Sequence, residues 1–180
     1  MPRTVHVPAR RFAGWLERFE ANNPDGPQRL VSVEEPLPVP LVVLLIRRGG
    51  YAVAVADGDG EDGPRLAAHK VGTRYVQSRT AAGGWSQQRF ARRRAGQADA
   101  LVAAVQDHLA RILAETAVTP GAVVTGGDRR LIAQTLEDPR LNALIDLPTR
   151  SYTDIADPRR AVLDETIGRA TAYRIVIEDG

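Results

Sequence analysis

The 180-residue chain is 43% hydrophobic and 26% charged, which gives it the apolar content of one ordinary domain with a small appendage and excludes general disorder. It has no cysteine, which excludes a disulfide framework, a thiolate metal site and a cysteine nucleophile, and it has no apolar run of membrane-spanning or signal-peptide length. The net charge of +2 hides an asymmetry: residues 65 to 98 carry eight basic groups and no acid, whereas the rest of the chain has 16 basic and 22 acidic residues. An acidic body with one cationic segment fits a cytoplasmic protein that meets an anionic partner from one side, with no membrane role.

In chain order, the stretch 8 to 21, "PARRFAGWLERFEA", sets Phe12, Trp15, Leu16 and Phe19 at helical spacing, and "NNPDGP" stops it. A proline-rich connector with one short extended piece, Arg29 to Val33, runs to residue 40. "LVVLLIRR", Gly49-Gly50 and "YAVAVADG" then read as a hairpin, and "RLAAHKVGTRYVQSR" as a third extended segment running into "GG".

From about Ser86 the period becomes helical. Leu101, Val102, Val105, Leu109, Ile112 and Leu113 line one face, while Arg89, Arg92 and Arg93 share another. "GAVVTGG" predicts a strand, "DRRLIAQTL" a helix, "DPRLNALIDLP" an irregular or strand piece, "DPRRAVLDETIGRA" a helix and "AYRIVIED" a terminal strand. Three antiparallel strands followed by helix, strand, helix and strand is the order of an RNase H-like α/β mixed sheet. The expected division is an N-terminal helix and connector over 1–40 and the functional domain over 41–180.

Most chemical motifs are weak. Asp57, Asp59, Glu61 and Asp62 lack the twelfth-position Glu of an EF-hand loop, and His6, His69 and His108 have no ligand spacing. "TGGDRR" could seat an anion at a helix start but lacks the P-loop Lys-Ser/Thr. Ser86 has no neighbouring base in the sequence. Asp57 and Asp128, both at strand ends, are the carboxylates that a metal-dependent nuclease on this fold would use.

The informative stretch is "GGWSQQRFARRR", residues 83 to 94. Glycine permits close backbone approach, tryptophan can stack on a base, and an amide both donates and accepts hydrogen bonds. An arginine stem follows, in which guanidinium groups suit phosphate. A solvated helix is ordinarily charge-mixed; this one is wholly cationic over its first turns.

That stretch resembles "GGQSALRFARLR" in the catalytic domain of the eukaryotic and archaeal class-I peptide release factor, and "VVTGGDRRLIAQTLEDPRL" is similar to the strand, glycine turn and Asp-Pro-Arg-Leu segment of that family. The resemblance spans roughly 41 to 180. Trp85 stands where the family glutamine follows Gly83-Gly84, a variation similar to the Vms-like release-factor family and its actinobacterial branch, whose tips are of the Gly-Gly-Ser-Gln type.

Matching "SQ" to "SQ" makes Gln87 the catalytic amide, supported by Gly83, Gly84 and Ser86. Aligning from "RFAR" instead puts Trp85 on the family glutamine, and Gln88 or neither amide then remains open. The resemblance implies a codon-independent peptidyl-tRNA hydrolase that rescues stalled or split ribosomes, since only about 40 residues precede the first core strand where a decoding domain would stand. Its implied partners are the large-subunit rRNA and peptidyl-tRNA, with Lys70, Arg74, Arg79, Trp85, Arg89, Arg92, Arg93 and Arg94 as the RNA-binding set. It implies no metal and no cofactor, and a monomer suits a narrow channel. A non-catalytic ribosome- or RNA-binding factor is the other reading of the same basic helix.

Overall fold

A computed structural model describes residues 1–58, 63–73 and 85–179, with backbone only at 85–87, 90 and 91. Its centre is the strand β3 (Leu41–Arg47). All six residues from Leu41 to Ile46 are fully buried, as expected of a continuous apolar run covered on both faces. The sequence Arg48-Gly49 turns it into β4 (Gly50–Asp57), which pairs antiparallel with β3 and, on its other side, with β5 (Arg65–Thr73). On the opposite side, β3 pairs parallel with β6 (Ala122–Gly127), and β6 with β7 (Thr149–Tyr152). The sheet order β5-β4-β3-β6-β7, with the antiparallel hairpin strands first and the parallel pairs after, is the RNase H-like arrangement expected from the order of elements.

Side-chain volume separates the two faces of the sheet. One face carries Val42, Leu44, Ile46, Tyr51, Val53 and Val55 and is covered by the long helix α2 (Trp85–Thr116) through Leu101, Val105 and Leu109, and by α3 (Arg129–Leu136) through Leu131. The other carries Leu41, Val43 and Leu45 beside the small Ala52, Ala54 and Ala56. There α4 (Arg160–Ala170) lies on the sheet through Leu163, Ile167 and Ala170. Polar clamps hold α2 in place as well. Gln106 donates to the carbonyl oxygens of Gln134 and Thr135, at 3.0 and 3.3 Å. Arg140, in the 3-10 turn Pro139–Leu144, reaches Asp107 at 2.8 Å while gripping its own neighbour Asp138. That grip holds the Asp138 carboxyl below its usual range.

The terminal strand β8 (Ala172–Asp179) is present, but it does not enter the five-stranded sheet. It is the centre of a second, antiparallel sheet, flanked by β1 (Arg3–Pro8) and β2 (Gln28–Glu34), over which α1 (Ala9–Asn22) is laid. Val7, Ile175 and Ile177 form its core. Phe12, Trp15, Phe19 and Tyr173 pack onto them, with the rings of Phe12 and Tyr173 stacked at 3.8 Å. The aromatic stripe of α1 is therefore a packing face. The strand that follows α3 in the main sheet is instead the short β7, where the sequence shows no apolar alternation: among its four residues only Tyr152 is buried.

Between the second sheet and the β7 edge lies a polar cleft of about 830 Å³. Arg174 pairs with Glu34, Arg150 donates to the carbonyl oxygen of Glu35 at 2.7 Å, and Arg169 pairs with Asp154 at 3.0 Å while its guanidinium sits 4.3 Å over the Tyr152 ring. His6 stands among these groups. Burial, then the charges of Arg169, Arg174 and Arg150, push its imidazole below the ordinary 6.5, with Asp154 opposing. A histidine depressed in the fold takes up its proton more readily when unfolded. Stability from His6 is therefore present above about pH 6.5 and is lost as pH falls below it. Replacing His6 by Asn should flatten the upper part of the acid limb of a stability–pH profile measured by chemical denaturation.

Candidate nucleic-acid interface

A helix of 32 residues is about 48 Å long, much more than the sheet needs. Core contacts of α2 begin at Ala98 and continue through Leu113. None of the described side chains from 88 to 97 belongs to a core cluster. The N-terminal part of α2, about 20 Å of helix over 85–97, is thus a stem whose described side chains stay outside the core clusters. It holds no acid: the first carboxylate along the helix is Asp99. Gln88, Arg89, Arg92 and Arg93 are exposed on this stem, and Arg89, Arg92 and Arg93 share one face. Arg94 departs from them. It is half-buried, and it heads the row that continues as Ala98, Leu101 and Val105 into the core.

Trp85, Ser86 and Gln87 form the first turn of α2, whereas Gly83, Gly84, Arg74 and Arg79 lie outside the described residues. Lys70 is exposed on β5 opposite Val53, on the face that α2 covers. His69, its sequence neighbour, points to the other face and meets Arg160 of α4 at 3.2 Å, so the two do not converge on one phosphate. Farther along α2, within its core-packed part, Tyr51 lies over Gly72, where an added Cβ would meet the ring at 2.5 Å, and stacks on His108 of α2. That three-part stack ties the end of β5 to the helix. No motif in the sequence announces it, because its members are 21 and 36 residues apart.

The carboxylates that a nuclease would need are separated. Asp57 ends β4 beside Arg65, at the end of the sheet where β3 and β6 begin, while Asp128 follows the other end of β6. Six strand residues at about 3.3 Å each put roughly 20 Å between them, too far to share a metal ion. Asp128 is also engaged elsewhere. Its Oδ1 caps α3, accepting from the amides of Arg130 and Leu131 at 3.0 and 3.2 Å, and its Oδ2 lies 3.8 Å from Arg48. Among the described residues no group of three or more His, Asp or Glu side chains is arranged to hold a metal, and no helix is long and apolar enough to cross a membrane.

Residues 39–176 match the family model described as the actinobacteria/chloroflexi VLRF1 release factor. Among solved structures, the chain is similar to the "Vms1 mitochondrial localization core", with a TM-score of 0.51 and 12% identity over 74% of this chain. The match spans 55% of that chain. A Thermus thermophilus RuvC structure matches at 12% identity and a TM-score of 0.42, over 74% of this chain and 98% of that one. No curated protein matches the chain.

Gly127 holds the corner that presents Asp128 and α3. Its φ is +105°, and an added Cβ would sit 2.2 Å from the carbonyl oxygen of Ile46. Gly127→Ala should cost about 1–3 kcal/mol, read as a lowered unfolding midpoint, while the exposed arginines of the stem remain in place.

Proposed function

Because the chain belongs to the actinobacteria/chloroflexi VLRF1 release-factor family, we propose that this release factor is a codon-independent peptidyl-tRNA hydrolase of ribosome rescue, active on stalled or split ribosomes. The observation that carries the reading is the acid-free stem of α2, whose described side chains stay outside the core clusters and include exposed Gln88, Arg89, Arg92 and Arg93. A cationic rod of this kind suits entry into an RNA channel. Residues 41–180 form the hydrolase domain in this reading. It works as a monomer in the cytoplasm, on the large subunit and its peptidyl-tRNA.

The chemistry follows from the residue types. Arg89, Arg92, Arg93 and Arg94, with Lys70, Arg74 and Arg79, neutralise rRNA or tRNA phosphates, and Trp85 stacks on a base. Gly83 and Gly84 give the tip its backbone freedom, and Ser86 supports the amide beside it. A carboxamide is no base at neutral pH, so Gln87 acts by placement. Its oxygen accepts a hydrogen bond from a water molecule and holds that water against the ester carbonyl carbon. The water oxygen forms the new bond to the carbonyl, the bond to the tRNA ribose oxygen breaks, and the departing oxygen takes a proton. The products are a peptide with a free carboxyl group and a deacylated tRNA.

Orientation of this kind can supply roughly 7–11 kcal/mol. Loss of one aimed hydrogen-bonding group typically costs about 2.7–4 kcal/mol. No metal or organic cofactor takes part. The separation of Asp57 from Asp128 argues against the nuclease alternative on the same fold.

Peptide release from purified large subunits bearing peptidyl-tRNA tests the proposal. Wild type should release the chain, and Gln87→Ala should slow release by about a hundredfold or more. Gln88→Ala, run in parallel, assigns the amide if the loss falls there instead. A wild-type protein that binds subunits and releases nothing would leave a non-catalytic ribosome-binding factor. Replacing Arg89, Arg92 and Arg93 together by Ala should lower the slope of log affinity against log salt by about 2–3.

A further inference from the structure

The half-buried position of Arg94 has a geometric cause. Arg89, Arg92 and Arg93 centre on one side of α2, and at 3.6 residues per turn Arg94 lies roughly 150° around the axis from them. Farther along, its side of the helix is the core side. At the level of Arg94 the helix has begun to leave the sheet, and that side opens over a groove of about 220 Å³ between α2 and α3, floored by Ala98 and Leu131. Two more guanidinium groups line the groove from other parts of the chain: Arg48 in the β3–β4 turn and Arg130 in the first turn of α3.

These three cations are poorly matched by carboxylates. Among the described residues, neither Arg94 nor Arg130 has an ion-pair partner. Arg48 has only the 3.8 Å approach to Asp128, with two thirds of its side chain exposed. The acids at the groove are Asp99 on its rim and Asp128, whose Oδ1 is taken by the α3 amides. That cap also means the end of α3 offers no free amide pair there, so an anion would be held by the guanidinium groups themselves. The groove is smaller than the roughly 300 Å³ at which organic-ligand pockets begin, and it suits a phosphate group. It is continuous with the acid-free stem, which makes a polyanion a better match than an isolated ion.

We propose that Arg48, Arg94 and Arg130 form a second RNA-phosphate site on the opposite side of α2 from Arg89, Arg92 and Arg93, so that the helix docks between two backbone segments of RNA rather than lying against one. This rests on the reading of α2 as a helix that enters RNA, and it adds residues from outside the stem to the interface. Arg94 then belongs to a different phosphate track from its immediate neighbours.

The test compares binding of the full chain to purified large ribosomal subunits over a range of salt. The variants are Arg48→Ala/Arg130→Ala, the conservative Arg48→Lys/Arg130→Lys, and Arg89→Ala/Arg92→Ala/Arg93→Ala, with unfolding midpoints measured for each. The alanine pair should lower the salt slope by about 1.4–1.8 and the lysine pair should retain it. Backbone footprints on the rRNA should be lost at different positions for the alanine pair and for the triple variant. An unchanged slope in the alanine pair, or loss of the same footprint by both sets, would overturn the second site while leaving the first. Competition by inorganic phosphate at constant ionic strength that disappears in the alanine pair would mark a small-ion pocket and also overturn it. A wild-type protein with no salt-dependent binding would instead remove the RNA reading on which the proposal rests.

Discussion

The structure depends on one asymmetric anchorage: α2 packs on the core from Ala98 onward, while none of its described side chains before Ala98 joins a core cluster. Leu101, Val105 and Leu109 press on the face of β3 and β4 that carries Val42, Leu44, Val53 and Val55. Each fully buried aliphatic side chain is worth about 1.5–3 kcal/mol. Like-charge neighbours at helical spacing cost only about 0.2–0.5 kcal/mol per pair. A handful of anchors therefore outweighs the repulsion within the arginine stem, and the helix propagates outward from its buried half. Gln106 and Arg140 strengthen the buried part by joining α2 to α3 and to the 3-10 turn.

Charge follows the same division. Among the described residues the acidic groups lie outside the stem, and several are consumed locally: Asp138 by Arg140, Asp154 by Arg169, Glu34 by Arg174. The stem has no acid to consume its cations. Positive charge thus gathers where the packed body ends, which is the place the proposed reading gives to phosphate. The second sheet closes the first and last segments of the chain on each other through β8 and sets His6 among the arginines of the interior cleft.

The element types were legible wherever burial imposes a period. The unbroken Leu41–Ile46 run could only be a strand buried on both faces, and the Leu101–Ile112 row could only be one face of a helix. The stretch Phe12, Trp15, Phe19 was equally plain as an apolar helix face. What such patterns lack is an address. Both sheets want apolar strands of similar length, so nothing local says that Ala172–Asp179 leaves the main sheet to pair with Arg3–Pro8, or that the weakly apolar Thr149–Tyr152 takes the edge position beside β6. Parallel pairing and strand exchange are set by long-range packing, which a short window of sequence does not contain.

The candidate functional residues divide along the same line. By itself the sequence determined the cationic, acid-free segment, the amides before it and the resemblance to release factors, because composition and contiguous motifs survive without coordinates. Only the tertiary structure decided that Arg94 turns away from Arg92 and Arg93, that Arg48 and Arg130 come to meet it, and that Asp57 and Asp128 stand at opposite ends of the sheet. The reason is that these relations join residues from separate elements. Their distances are fixed by where α2 crosses the sheet and by the opposed directions of β4 and β6, quantities that exist only once the layers are packed.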